Sequence, residues 1–168
     1  MLATLAPGLP RETTDVLLRG ASLDPREELL DLYEWRDGSS QANVDRIGNM
    51  YFLPGFYFLA LEDALKNYEA FLPDTRWQRG WLPIFADGGG DFLFIDLSER
   101  GAASIRHFRL EEVEHPVEYE NLLNMLKTVS RAYQDKVFFV DSEGYLEMND
   151  DEYASLAHEL NPSVKWWE

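Results

Sequence analysis

The feature that most constrains the fold is a pair of dense apolar runs, at residues 81–85 and 92–97, separated by a short glycine-rich segment. Both runs are rich in aromatic and β-branched side chains, which is typical of β-strands. Glycine adopts the positive φ angles that tight reversals require, so the sequence predicts an antiparallel hairpin with at least one glycine at positive φ. The turn segment is Asp87, Gly88, Gly89, Gly90 and Asp91.

The second run is apolar at every position, which indicates a central strand that is covered on both faces. Phe92 and Phe94 share one face of this strand, while Leu93 and Ile95 share the other, because successive side chains alternate. We expect these residues and Trp81 to lie in the core. We also expect a long amphipathic helix at residues 119–133 to cover one of the two faces.

Two helices are indicated near the N-terminus. The better one begins with a capping box at residues 24–27 and ends at Gly38, because glycine accepts the left-handed conformation common at helix ends. Trp35 is expected on its buried face, together with leucines. A shorter helix at residues 11–19 has Val16 and Leu17 as its apolar anchors.

The remaining segments alternate between short strand patterns and helical spacing. Predicted helices cover residues 61–72 and 119–133, and a last one begins near residue 150 and ends at 161–162. Predicted strands cover residues 47–53, 56–59, 103–108, 137–140 and 145–148. This arrangement of consecutive strands and separate helices predicts a single α+β domain over residues 1–168, because a parallel sheet would require a regular βαβ series.

The chain carries 15 Lys plus Arg against 31 Asp plus Glu, a formal net charge of -16. This charge repels phosphate backbones, so direct nucleic-acid binding is not expected. The excess is uneven: residues 1–110 hold 17 acids and 11 bases, whereas residues 111–168 hold 14 acids and 4 bases. The acidic C-terminal third is either a solvated surface or a docking surface for a basic partner.

Several functional classes are excluded or disfavoured by composition. The chain has no cysteine, which excludes disulfides, thiol catalysis and cysteine-ligated metal sites. The apolar run at residues 56–61 is far shorter than the roughly 20 residues of a membrane span. Residues 1–10 lack the basic start of a secretory signal, so we expect a cytoplasmic protein without membrane association.

The sequence offers no compact catalytic, cofactor or metal motif. The glycine segment lacks the Lys-Ser/Thr of a phosphate-binding loop, and His107, His115 and His158 stand far apart. The acids of residues 141–152 do not have the spacing of an EF-hand loop. Paired carboxylates near Trp and Tyr also suit glycoside hydrolysis, so a carbohydrate- or nucleotide-active enzyme remains an alternative to a binding protein.

Three motifs, at residues 32–38, 52–59 and 81–91, resemble those of the SUKH superfamily, the Smi/Knr-like group named after a yeast cell-wall assembly regulator. The resemblance covers residues 24–130. Its hallmark is a Trp, a Pro-Ile pair and a glycine-rich stretch that ends in Asp. The matching residues are Trp81, Pro83, Gly88, Gly89, Gly90 and Asp91, and they are expected to form the fold rather than to bind a ligand.

The resemblance implies an α+β fold with a bent, mainly antiparallel (mixed) sheet of about six strands flanked by helices. It also implies a non-catalytic protein that, in bacteria, frequently serves as an immunity protein against toxins of neighbouring cells. No cofactor, metal ligand or catalytic residue is implied. A scaffold or regulatory role of the Smi/Knr type is the alternative.

Charge and resemblance together predict that the partner is a basic protein, such as a toxin domain, of which nucleases are one class, because acidic inhibitors gain electrostatic steering toward basic targets. The candidate partner-binding acids are Glu111, Glu112, Glu114, Asp141, Glu143, Asp150 and Asp151. Candidate aromatic anchors are Tyr119, Tyr145 and Trp166 or Trp167, because interfaces favour aromatic residues.

Overall fold

The protein is an α+β domain built on one six-stranded sheet, seen in a computed structural model that describes residues 5–40, 50–98 and 101–168. In chain order, the elements are β1 (Leu5–Pro7), α1 (Arg11–Gly20), α2 (Glu27–Trp35), β2 (Arg36–Ser39), β3 (Tyr51–Leu53), β4 (Phe56–Phe58), α3 (Leu61–Phe71), β5 (Trp81–Ala86), β6 (Phe92–Asp96), β7 (Ile105–Phe108), β8 (Val117–Tyr119), α4 (Leu122–Gln134), β9 (Phe138–Val140), β10 (Leu146–Met148), α5 (Asp150–Leu160) and a final 3-10 turn (Lys165–Trp167). In these ranges, no helix is long and apolar enough to cross a membrane.

The main sheet follows the chain, in the order β3-β4-β5-β6-β7-β8, and each neighbouring pair is antiparallel. Two small antiparallel pairs, β1–β2 and β9–β10, lie outside it. The predicted fold class and strand number are confirmed. The pairs within the described ranges are all antiparallel, so the mixed character allowed by the sequence is not seen there.

One face of the central strands carries a layer of aromatic rings. Trp81 stacks on Phe94 with 4.4 Å between the ring centroids, and Trp77 approaches Phe94 to 5.5 Å. Phe71, at the end of α3, packs edge-on against Phe92. Phe92, Phe94 and Trp81 are buried, as the sequence predicts.

The opposite face of β6 is also buried, with Leu93 and Ile95 nearly inaccessible. Phe85 on β5 meets the ring of Phe58 at 5.3 Å, and Phe58 meets Tyr33 of α2 at 5.5 Å. This face is therefore covered in part by α2. Helix α4 packs against β8, β9 and α5, and its coverage of β6 stays a prediction.

The turn between β5 and β6 has the positive φ angles expected of its glycines. Gly88 and Gly90 have φ angles of 88° and 115°. One carboxylate oxygen of Asp87 accepts the N–H groups of Gly89, Gly90 and Asp91 at 2.7, 3.0 and 2.9 Å. The other acid of the turn, Asp91, accepts the N–H of Leu110, at 2.8 Å, beyond the end of β7.

Pro83 lies inside β5, where the register with β6 shifts between Pro83 and Phe85. Proline lacks the N–H that a regular ladder requires, so it is confined to strand edges and irregularities. The shift lets a buried strand hold proline and still pair on both sides.

Helices α1 and α2 exist where the sequence predicts them, but their details differ. In α1 the buried residues are Thr14 and Leu18, and the expected anchors Val16 and Leu17 are exposed. Apolar character alone did not identify the face that meets the body of the protein.

The predicted capping box of α2 does not form, because the helix begins at Glu27, with Arg26 at the cap and no side-chain cap bond. The helix passes directly into β2, which pairs with β1, and Trp35 is exposed. Gly38 does adopt a positive φ, 83°, but within this strand. A Cβ there would lie 2.3 Å from the backbone nitrogen of Ala60, so glycine permits a close approach of two chain segments rather than ending a helix.

Tyr119 belongs to β8 and not to the long helix that the sequence predicts for residues 119–133. Helix α4 begins at Leu122, where the side chain of Asn121 accepts the N–H of Asn124 at 2.8 Å. The short strands β1 and β8 were not predicted. Of the strand predicted at residues 47–53, residues 47–49 lie outside the described ranges.

We expect Phe94→Ala to lower the free energy of unfolding by about 3–5 kcal/mol, because the change removes a fully buried ring from the aromatic layer. Chemical denaturation of both proteins measures the difference. Phe139→Ala makes the same change at an exposed site and should cost less than about 0.5 kcal/mol. A loss at Phe94 no larger than that of the control contradicts the assignment.

A second substitution tests the turn between β5 and β6. In Gly90→Ala, the new Cβ would lie 2.8 Å from a methyl group of Leu110 and the residue would keep a φ of 115°, so we expect a loss of about 1–3 kcal/mol. Gly144→Ala is the matched control, because its φ is also positive but no atom lies within 4 Å of the added Cβ. Equal losses of unfolding free energy in the two variants would show that the contact with Leu110 adds nothing.

Candidate protein-interaction surface

The hairpin formed by β9 and β10 exposes apolar side chains. Phe139 is 46% exposed and Val140 is 66% exposed, and Tyr145 also faces solvent. Exposed apolar groups with polar residues around them are typical of protein-binding sites. We refer to residues 138–148 as the β9–β10 hairpin surface.

The base of this hairpin is fixed to the body of the protein. Phe138 is buried, stacks on Tyr153 of α5 at 5.1 Å and meets Tyr133 of α4 edge-on at 5.0 Å. The N–H of Asn149 donates to the carbonyl of Val137 at 3.0 Å. Because the base is held in this way, the exposed side chains beyond it are presented on a rigid support.

Acidic residues surround the exposed apolar residues. Glu147 pairs with Phe139 across the hairpin, and Glu143 is exposed in its turn. Asp141 has a structural role, because one of its carboxylate oxygens accepts the N–H groups of Glu143 and Tyr145, each at 2.8 Å. Asp141 therefore shapes the turn, whereas Glu143 and Glu147 are available to a partner.

Helix α5 extends the acidic surface. The first turn of this helix contains Asp150, Asp151 and Glu152. Carboxylates there interact favourably with the partial positive charge of the helix N-terminus. Asp151 and Glu152 also line a groove of about 450 Å³ between α4 and α5. Two acids that the sequence did not single out, Asp135 and Glu159, complete this groove, and Arg131 pairs with Asp135 at 2.6 Å.

Glu159 was detectable in principle, because it follows Glu152 by seven residues and such spacing places two side chains on one helix face. Asp135 directly follows the end of α4, so no spacing in the sequence connects it with α5.

The other predicted acids, Glu111, Glu112 and Glu114, lie in the connection between β7 and β8. All three are exposed. Arg76 anchors this connection, because it donates to the carbonyls of Leu110 and Glu112. Arg76 also forms an ion pair with Asp74 at 2.8 Å, and its hydrogen bonds lower the pKa of Asp74 to about 2. The seven candidate acids thus fall into two groups, and their role in binding stays a prediction.

His115 lies in the same connection and is only 7% exposed. Its Nδ1 atom accepts the N–H of Arg109 at 3.3 Å, and its ring lies 4.3 Å from that of Phe108. Burial lowers the pKa of His115, and the positive charges of Arg76, Arg106 and Arg109 lower it further.

The predicted aromatic anchors have different surroundings. Tyr119 is buried and its hydroxyl bonds to that of Tyr153 at 2.7 Å, so it is a core residue. Trp167 is half-buried and donates its indole N–H to the carbonyl of Glu118. Tyr145 and Trp166 are the exposed members of the set. Across the described residues, no group of His, Asp and Glu side chains has the arrangement of a metal site.

The chain was compared with known proteins. The model of the SMI1/KNR4 family (SUKH-1) matches residues 25–129, which is well over half of the chain. No match was found among curated proteins. The matching segment contains the main sheet and the residues Trp81, Pro83, Gly88, Gly89, Gly90 and Asp91. The β9–β10 hairpin surface and α5 lie beyond it.

The lowered pKa of His115 predicts a pH dependence of stability. The unfolded chain takes up a proton at this residue near its ordinary value of 6.5, whereas the folded chain resists protonation. The stabilising contribution is therefore complete above pH 6.5 and is lost as the pH falls from that value toward the lower pKa of the folded state.

We expect His115→Gln to remove this component, so that its unfolding free energy changes less between about pH 7.5 and pH 5 than that of the wild type. Chemical denaturation of both proteins at the two pH values measures this change in unfolding free energy. His158→Gln, at an exposed histidine, should retain the wild-type dependence. The same dependence in both variants and the wild type would refute the role of His115.

Proposed function

Because this chain belongs to the SMI1/KNR4 family (SUKH-1), we propose that it is an immunity protein that binds and neutralises a bacterial toxin in the cytoplasm. The proposed partner is a basic toxin domain, such as a nuclease. Family membership supports a non-catalytic protein of the immunity or Smi/Knr type. The observation that carries the more specific proposal is the β9–β10 hairpin surface, where exposed apolar side chains stand among carboxylates.

The apolar residues supply the energy of the proposed contact. Binding energy in interfaces is concentrated in a few central side chains, often aromatic, that become fully desolvated. Phe139 and Tyr145 are aromatic and exposed, and Val140 lies beside them. The base of the hairpin is packed on Tyr133 and Tyr153, so binding requires little further ordering of the hairpin and the entropy cost is small.

The carboxylates raise the association rate of the proposed contact and select for basic partners. Glu143 and Glu147 flank the apolar residues, and the acids of α5 continue the same sign of charge. Complementary charges raise the association rate, and they disfavour acidic partners. A nuclease must attract phosphate groups, so its active face is basic, and an acidic inhibitor can occupy the positions that phosphates would take.

The test requires a toxin domain encoded next to this gene as the binding partner, and it reverses the charge of two exposed acids, Glu143→Lys with Glu147→Lys. Asp141 is left in place, because its carboxylate holds the turn. We expect the association rate at low salt to fall at least about tenfold, while high salt reduces the difference because it screens the charges. Surface-based binding kinetics at two salt concentrations measure both effects.

The matched control reverses two exposed acids outside the hairpin, Glu12→Lys in α1 with Glu69→Lys in α3, which changes the net charge equally. It should alter the association rate much less than the hairpin reversal. Equal changes in association rate would show that only the overall charge matters. The hairpin would then no longer be assigned as the binding surface.

A second variant tests the apolar contact. Phe139→Ala should leave unfolding nearly unchanged but raise the dissociation rate about tenfold or more, as expected for a central aromatic residue. An unchanged dissociation rate would place the contact elsewhere. Absence of any binding to the toxin domain would refute the immunity role and favour the Smi/Knr-type scaffold.

A further inference from the structure

A second site differs from the acidic surface in its charge. A cavity of about 520 Å³ opens between the β7–β8 connection and the C-terminal turn. Its wall includes Arg76, Trp81, Arg106, Arg109, His115 and Trp166. Three arginines thus converge on one cavity in a chain with a net charge of -16.

Two of these arginines have no acidic partner within residues 5–40, 50–98 and 101–168. Arg76 is neutralised by Asp74, but neither Arg106 nor Arg109 forms an ion pair with any described residue. Both guanidinium groups instead lie over indole rings, Arg106 over Trp81 at 5.9 Å and Arg109 over Trp166 at 5.3 Å. Glu114 also lines the cavity, so the local excess is one positive charge if Arg76 and Asp74 cancel.

The same residues carry buried N–H groups without an acceptor. They include the Nε atoms of Arg106 and Arg109 and the indole nitrogen of Trp81. In neutral His115, Nδ1 accepts the backbone N–H of Arg109, so the proton resides on Nε2, which also has no acceptor. Buried donors are normally satisfied, so in the wall of this cavity the described residues leave four donors without a partner.

The surroundings of the cavity can also accommodate an organic group on a ligand that contacts the arginines. Trp166 is 43% exposed, and Trp166 and Pro116 also line a neighbouring cavity of about 760 Å³. The cavity with the three arginines therefore adjoins an open space, lined in part by Trp166, that is large enough for a small molecule.

We propose that the cavity beside β7 binds a small phosphate monoester, with its phosphate at Arg106 and Arg109 and its organic group against Trp166. Guanidinium groups form paired hydrogen bonds with phosphate oxygens. A phosphate offers three terminal oxygens and up to two negative charges to these donors, whereas a carboxylate offers two oxygens and one charge. This site is separate from the β9–β10 hairpin surface and does not depend on the proposed immunity role.

The test titrates the full chain with phenyl phosphate, inorganic phosphate and benzoate at constant ionic strength, followed by tryptophan fluorescence and thermal unfolding. We expect phenyl phosphate to saturate the signal, to raise the melting temperature and to bind at least about tenfold more tightly than benzoate. Arg106→Gln with Arg109→Gln should weaken its binding at least about tenfold. Arg79→Gln, at an exposed arginine outside the cavity, should leave the affinity within about twofold of the wild type.

Trp166→Ala provides an independent variant at an exposed position. It should lower the affinity for phenyl phosphate toward that for inorganic phosphate and leave inorganic phosphate binding unchanged. The proposal is overturned by a response that does not saturate, by benzoate binding as tightly as phenyl phosphate, or by equal losses in Arg79→Gln and the double variant.

Discussion

The stacking of Trp81 on Phe94 is the contact on which the rest of the structure depends. Trp77 meets both rings, and it also packs edge-on against Phe108 at 5.0 Å. This layer joins β5, β6 and β7 to the connection that follows α3. Because interiors are tightly packed, a change in one ring displaces its neighbours, and each element on this face is positioned by the same few contacts.

The layer also positions the segment between β7 and β8. Arg76, close to Trp77 in the chain, lies over Phe108 at 5.4 Å and binds the carbonyls of Leu110 and Glu112. From the other side, Asp91 accepts the N–H of Leu110. The turn that follows β5 and the connection that follows α3 thus hold one loop between them. The acids of that loop and the wall of the basic cavity take their orientation from these bonds.

The protein separates its charges in space. Carboxylates gather around exposed apolar side chains on the β9–β10 hairpin surface and along α5. Arg106 and Arg109, which form no ion pair with a described residue, line a cavity beside β7. An acidic surface with an apolar centre suits a basic protein, and a basic cavity with aromatic walls suits a small anion. The segment that matches the family contains the sheet, and the hairpin surface is added beyond it.

The sequence determined the features that depend on local pattern. Positive φ at Gly88 and Gly90, the buried strand around Phe94 and the α+β class follow from turn chemistry and from side-chain periodicity. The ends of the helices and strands, and the faces that they bury, depend on contacts with residues far away in the sequence. Tyr119 precedes Leu122 at a spacing that suits a helix, yet pairing with Ile105 makes it part of a strand. Only the tertiary structure brought Arg76, Arg106 and Arg109 around one cavity, because residues far apart along the chain meet only after the sheet and the aromatic layer have formed.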